Sequence, residues 1–145
     1  MWIRALTNNL KALIQRHEGL KLLPYKCSEG KLTIGIGRCL ETTGISRAEA
    51  EMMFDNDVQR AFGAAWEHIW FRRLDDARQD VIVSMVFQLG IRGFNKFKVL
   101  IAALEARDYA KAADAMLDSK WAKQTPARAL ELSVMMRENR AYVPD

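Results

Sequence analysis

The twenty residues EGLKLLPYKCSEGKLTIGIG, positions 18–37, constrain the fold most, because they interrupt a chain whose apolar residues otherwise recur at helical spacing. They hold four of the eight glycines, a Pro-Tyr pair and a Ser-Glu-Gly run, a combination that no continuous helix tolerates. Leu20 and Leu22, and then Leu32, Ile34 and Ile36, alternate with other residues as half-buried strands do. Ser28-Glu29-Gly30 between them reads as a hairpin turn, with Gly30 free to take a positive φ. Gly35 and Gly37 permit a bend or a close backbone approach.

Helical patterns flank this element on both sides. From residue 2 to about 17, Trp2, Ile3, Leu6, Leu10, Leu13 and Ile14 form one apolar face, with Arg4, Lys11 and Arg16 outside it. Ser46-Arg47-Ala48-Glu49 is a capping box and predicts a helix running into the Trp66 to Trp70 region. Asp75 or Asp76 is expected to cap a second helix through Val81, Ile82, Met85, Val86 and Leu89, stopping at Gly90. Further helices are expected over Val99 to Leu104, from about Tyr109 to Leu117, and from Thr125-Pro126 onward with Ala129, Leu132 and Met136 inward. The predicted fold class is therefore α+β and mainly α. A single domain over 1–145 is expected, with a small β lobe at approximately 18–45 and a helical lobe formed by 1–17 and 46–145.

Composition narrows the class of partner. The net charge of +4 favours an anionic surface or polymer, but Lys and Arg are scattered through every segment instead of being gathered on one recognition face, which argues against nucleic acid. Two cysteines do not make a disulfide framework, and His17, Cys27 and Cys39 have no metal-ligand spacing, so neither metal nor cofactor is expected. The N-terminal residues lack a continuous apolar run, which predicts a chain made in the cytoplasm and not inserted stably into a membrane.

Three residues of the opening stretch carry potential chemistry. Glu18 falls at the end of the first helix, where the dipole disfavours its charged form, and partial burial would add to that effect; such a carboxyl suits general-acid work. Thr33 and Cys27 taken singly have ordinary readings, as a strand residue and a small buried hydrophobe.

Their combination is more specific. Glu18, eight residues, Cys27, five residues and Thr33-Ile34-Gly35-Ile36-Gly37 together resemble the catalytic stretch of the phage-type lysozymes, glycoside hydrolase family 24. The family pattern has an aspartate, or less often a cysteine, at position 27. Glu18-Gly19-Leu20 and Tyr25-Lys26 match as well. Downstream, Ala48-Glu49-Ala50-Glu51 with Phe54 and Asp57, Val86-Phe87-Gln88-Leu89-Gly90, Ser119-Lys120-Trp121 and Gln124-Thr125-Pro126-Ala127-Arg128-Ala129 extend the resemblance over residues 14 to 140.

The resemblance implies a two-lobed lysozyme-like fold and hydrolysis of the β-1,4 bond between N-acetylmuramic acid and N-acetylglucosamine in peptidoglycan. In it Glu18 is the general acid, Thr33 holds a water on the opposite face of the sugar, and position 27 activates that water or stabilises the oxocarbenium-like transition state. Inversion at the anomeric carbon follows if the cleft has room for the water. Cys27 is expected either as a thiolate base favoured by basic groups such as Lys26, or as a direct nucleophile. Arg128 is implied to pair with and orient Glu18; Tyr25, Phe87 and Gln88 are implied to bind or orient substrate, with core packing a competing role for Gln88 and Trp121.

The same resemblance implies an endolysin that accumulates in the host cytoplasm as a monomer and depends on a membrane-permeabilising holin to reach the periplasmic wall. A catalytically weak or inactive peptidoglycan-binding module is the alternative. Three departures from the family are expected to matter. Arg38 stands where relatives commonly have histidine, so a helix-packing ion pair is replaced; the short stretch from Gly37 to Ser46 leaves little room for a further strand; and Cys39 and Phe97 alter the lining of the sugar cleft. Cys39 also raises the possibility of an inactivating pair with Cys27.

Overall fold

The computed structural model describes residues 8–145. Two compact units, Met1–Met52 and Met53–Asp145, divide the chain.

In the first unit α1 (Asn8–Glu18) ends at Gly19, whose φ of 74° turns the chain while its N–H returns to the Gln15 carbonyl at 2.7 Å. Three antiparallel strands follow in the order β1 (Lys21–Lys26), β2 (Leu32–Gly35), β3 (Arg38–Cys39). The register shifts between Lys21 and Tyr25, around Pro24, which has no N–H to give to the ladder. The hairpin forms where the sequence places it: Gly30 has φ 75° and donates to the Cys27 carbonyl at 2.8 Å. The third strand was not expected from so short a segment; Gly35 and Gly37, both at φ 70°, turn the chain tightly enough to fit it.

Two expectations on burial need correcting. Leu22 on β1 is 79% exposed and Leu20 just before that strand is also exposed, their side chains finding no covering layer among the described residues. In α1, Leu13 and Ile14 are exposed; Trp2, Ile3 and Leu6, assigned to the same apolar face, lie outside the described residues.

The capping box closes in both directions. The Ser46 N–H donates to Glu49 Oε2 at 2.8 Å, and the Glu49 N–H donates to Ser46 Oγ at 3.1 Å. Glu49 also receives both guanidinium nitrogens of Arg38 at 2.8 Å, while Arg38 Nη1 donates to the Gly44 carbonyl at 3.1 Å. Arg38 thus ties β3 and its turn to the first turn of α2 (Arg47–Trp66). This fork holds the Glu49 carboxyl down to about 2.

The second unit is helical: the rest of α2, then α3 (Ile69–Arg72), α4 (Asp76–Phe94), α5 (Lys98–Glu105), α6 (Tyr109–Leu117), α7 (Lys120–Gln124) and α8 (Pro126–Glu138). The predicted inward residues Val81, Ile82, Met85, Val86, Ala129, Leu132 and Met136 are all buried, with Phe71, Phe94, Leu100, Leu104 and Met116 completing the core. Gly90 breaks α4 at φ 69°, as predicted, but helix resumes to Phe94 because that ring is drawn wholly into the core. Asp75 precedes α4 without capping it by its side chain; its carboxylate meets Arg78 at 3.3 Å instead. Thr125 likewise donates back to the Trp121 carbonyl at 3.0 Å in place of capping α8. The short helices α3 and α7 were not foreseen, each being too brief to show a helical period. Among the described residues no helix is long and apolar enough to cross a membrane.

Candidate active site

The hairpin brings Cys27 and Thr33 together. Thr33 pairs with Tyr25 on one side and Cys39 on the other, so these three side chains share one face of the sheet. Cys27 lies two residues beyond Tyr25 and continues the ladder, its N–H donating to the Lys31 carbonyl at 3.0 Å, which places it on the same face. Thr33 is 3% exposed, and its hydroxyl donates to that same Lys31 carbonyl at 3.0 Å. The one hydroxyl hydrogen serves that carbonyl or the Cys27 sulfur, and the oxygen lone pairs accept from a neighbour.

The half-buried Cys27 thiol is lowered below its ordinary value, first by the backbone N–H of Lys31, then by that of Glu29, with a smaller contribution from the Thr33 hydroxyl; desolvation and the Glu29 charge oppose them. The shift is toward the thiolate, but not from the expected cause. Lys26 side-chain charge is not what lowers it: the turn that starts at Ser28 points two amides back at the sulfur. No side-chain motif announces such donors, since they belong to the backbone, and only the turn signal hinted at them.

Glu18, at the C-terminal end of α1, sits against Gly37. A Cβ at Gly37 would come within 2.6 Å of Glu18 Oε2 and 2.8 Å of Cδ, so the carboxyl occupies space that only glycine leaves free. The close approach anticipated for the two glycines is thus real at Gly37, whereas a Cβ at Gly35 meets nothing within 4 Å. Glu18 itself is exposed, contrary to the expected partial burial, because α1 ends at this residue and Gly19 turns the chain away at once. Tyr25 is half-buried, and the Lys21 ammonium lies 4.1 Å from its ring centroid.

The sheet order also answers whether Cys27 and Cys39 can pair. They sit on opposite sides of β2, two inter-strand spacings apart, which separates their backbones by roughly 10 Å. A disulfide needs Cα atoms within about 7 Å, and both thiols are free. Cys39 is lowered as well, mainly by the Thr42 hydroxyl and backbone N–H.

In the second unit, Phe87 and Arg128 line one concavity of about 350 Å³ together with Phe54, Val58, Asp80, Val83 and Ser84. Arg128 Nη2 donates to the Ser84 carbonyl at 3.0 Å and to Ser84 Oγ at 2.9 Å, which fixes the guanidinium. Phe87 is exposed and packs edge-on against Phe54 at 5.8 Å. Gln88 is exposed and is not a core residue; its Oε1 accepts from Nε1 of the buried Trp121 at 2.8 Å. The indole is satisfied at its rim, so core packing describes Trp121 but not Gln88. Phe97 is half-buried against Phe94 and Trp121. Among the described residues no group of three or more His, Cys, Asp or Glu is placed to hold a metal ion.

The phage lysozyme family profile matches residues 15–139. A probable T4-type lysozyme 1 of Dictyostelium discoideum is 29% identical over an alignment covering 86% of this chain and 91% of the relative. An endolysin of Acyrthosiphon pisum secondary endosymbiont phage 1 is 30% identical over 77% of this chain and 75% of that protein. The pre-baseplate central spike protein Gp5 of Enterobacteria phage T4 is 29% identical over 88% of this chain, which spans only 27% of the spike protein.

Proposed function

This chain belongs to the phage lysozyme family, and from that premise, which supports a lysozyme-type glycosidase, we propose that it is an inverting endolysin muramidase. Its substrate is the β-1,4 bond between N-acetylmuramic acid and N-acetylglucosamine of peptidoglycan. The observation that carries the reading is Cys27, a thiol lowered by two backbone amides and set beside Thr33 on one face of the sheet.

In this mechanism Glu18 gives its proton to the departing glycosidic oxygen. A water on the opposite face of the sugar donates a hydrogen bond to the free lone pair of Thr33 and yields a proton to the Cys27 thiolate. Its oxygen bonds to the anomeric carbon as the glycosidic bond breaks, which inverts the configuration. The backbone amides of Lys31 and Glu29 shift the thiol toward the unprotonated form that a base requires. Nucleophilic attack by the sulfur would instead give retention, so the anomer of the first product separates the two routes.

The biological role we propose is host lysis, by a monomer that accumulates in the host cytoplasm and reaches the periplasmic wall once a holin permeabilises the membrane. The net charge of +4 supports attraction to an anionic wall. One observation favours a second reading, a wall-binding module without turnover: position 27 is a cysteine, where the resemblance implies an aspartate more often.

Release of new reducing ends from purified peptidoglycan tests both. Cleavage by the unmodified protein that is lost in Glu18→Gln and in Cys27→Ala establishes the muramidase and the thiol's part in it. Cleavage surviving Cys27→Ala removes the thiol from the mechanism. Co-sedimentation with peptidoglycan in the absence of any new ends would establish the binding module.

A further inference from the structure

The corner where α2 meets α3 carries an apolar surface that the glycosidase reading does not use. The inward face of α2 is made of Ala61 and Ala65, both buried, and its outward face ends in Phe62 and Trp66, which are 40% and 42% exposed. Their rings stack at 5.6 Å, and Phe62 stands edge-on against the fully buried Phe71 at 5.5 Å. The pair is thus held on the core but presented to solvent. Ile69, opening α3, is 71% exposed beside them in the chain.

Cations accompany this surface. Arg72 Nε donates to the Trp66 carbonyl at 2.7 Å, and its guanidinium lies 5.5 Å from the indole centroid. Arg73 is exposed next to it; the acidic residues nearest in the chain are Glu67, Asp75, whose carboxylate meets Arg78, and Asp76.

The area decides what such a patch can hold. Large apolar and aromatic side chains expose about 150–250 Å² each when free, so the three fractions amount to roughly 300 Å². A stable dimer or protein complex buries about 800 Å² per partner, far more than this corner offers. A bilayer surface needs no such area. Aromatic rings settle at headgroup level, an aliphatic side chain enters the acyl boundary, and arginines meet lipid phosphates. Each arginine near an anionic leaflet strengthens such contact several-fold.

We propose that Phe62, Trp66 and Ile69, with Arg72 and Arg73, form a peripheral docking site for the surface of an anionic phospholipid bilayer. The contact is shallow, reversible and independent of peptidoglycan cleavage.

Co-sedimentation with phosphatidylglycerol-containing vesicles, compared with pure phosphatidylcholine vesicles, tests it. The unmodified protein is expected to pellet with the anionic vesicles and to be released by salt. Arg73→Gln should weaken partitioning about fivefold. Ile69→Ser, at a position too exposed to affect folding, should weaken it tenfold or more at any salt concentration. Both variants should release reducing ends from soluble peptidoglycan fragments at the parent rate. Equal pelleting with the two kinds of vesicle, or undiminished pelleting of Ile69→Ser, would overturn the proposal. So would a dimer in sedimentation equilibrium that Ile69→Ser dissolves, since a second copy would then be the occupant.

Discussion

Gly37 offers a direct test of how the proposed acid is held. Gly35 and Gly37 share a φ of 70°, so alanine at either meets the same left-handed strain, about 1–2 kcal/mol. Their surroundings differ. At Gly35 a new Cβ meets nothing within 4 Å, whereas at Gly37 it meets Glu18 Oε2 at 2.6 Å. Ordinary contact begins near 3.5 Å, so the carboxyl must retreat by roughly 1 Å. Because the clashing atom is the free end of an exposed, flexible side chain, the retreat adds little to the folding cost. In catalysis a displacement of about 1 Å costs on the order of 100-fold. Gly35→Ala and Gly37→Ala should therefore lose similar stability in urea titrations, while only Gly37→Ala should lose about 100-fold in reducing-end release under conditions where both are folded. Equal activity in the two variants would refute the argument that Gly37 seats the acid.

Other expectations follow from the sheet and the capping box. Cys27→Asp should retain cleavage and extend it to lower pH. A base works only when unprotonated, and an aspartate stays ionised well below the pH at which even a lowered thiol gains its proton; a pH–rate profile reads this. The Glu49 carboxyl is lowered from 4.5 to about 2, and a depressed carboxylate contributes stability that is complete above its unfolded value and is lost as pH falls through the folded one. Urea stability should thus decline from about pH 4.5 to pH 2, and Glu49→Gln should flatten that slope. Ser46→Ala removes the hydroxyl that receives the Glu49 N–H and should cost about 1 kcal/mol in the same titration. Mild oxidation followed by non-reducing mass analysis should find no bond between Cys27 and Cys39.

Much of the fold could be read from residue order because its causes are local. The hairpin at Ser28-Glu29-Gly30 depends on one glycine's freedom at positive φ, and the start of α2 on a side chain and a backbone amide three residues apart. The buried set of α4 and α8 follows from helical period alone. The Glu18, Cys27 and Thr33 spacing needs nothing beyond the chain itself, and the family profile agrees with the resemblance it suggested.

What residue order could not supply depends on groups distant in sequence or without a side-chain signature. The thiol is lowered by backbone amides that converge only once the turn has closed, not by the neighbouring Lys26. The ion pair of Arg38 and Glu49 reaches across a loop, and nothing in either residue's neighbours names the other. Asp75 and Thr125 carry the right residue types for caps, yet a nearby arginine and a carbonyl compete successfully for their oxygens. Leu20 and Leu22 have the alternation of a half-buried strand, but burial requires a second layer, and among the described residues none covers them. Periodicity records which side chains prefer to leave water; only the assembled chain determines whether something is there to cover them.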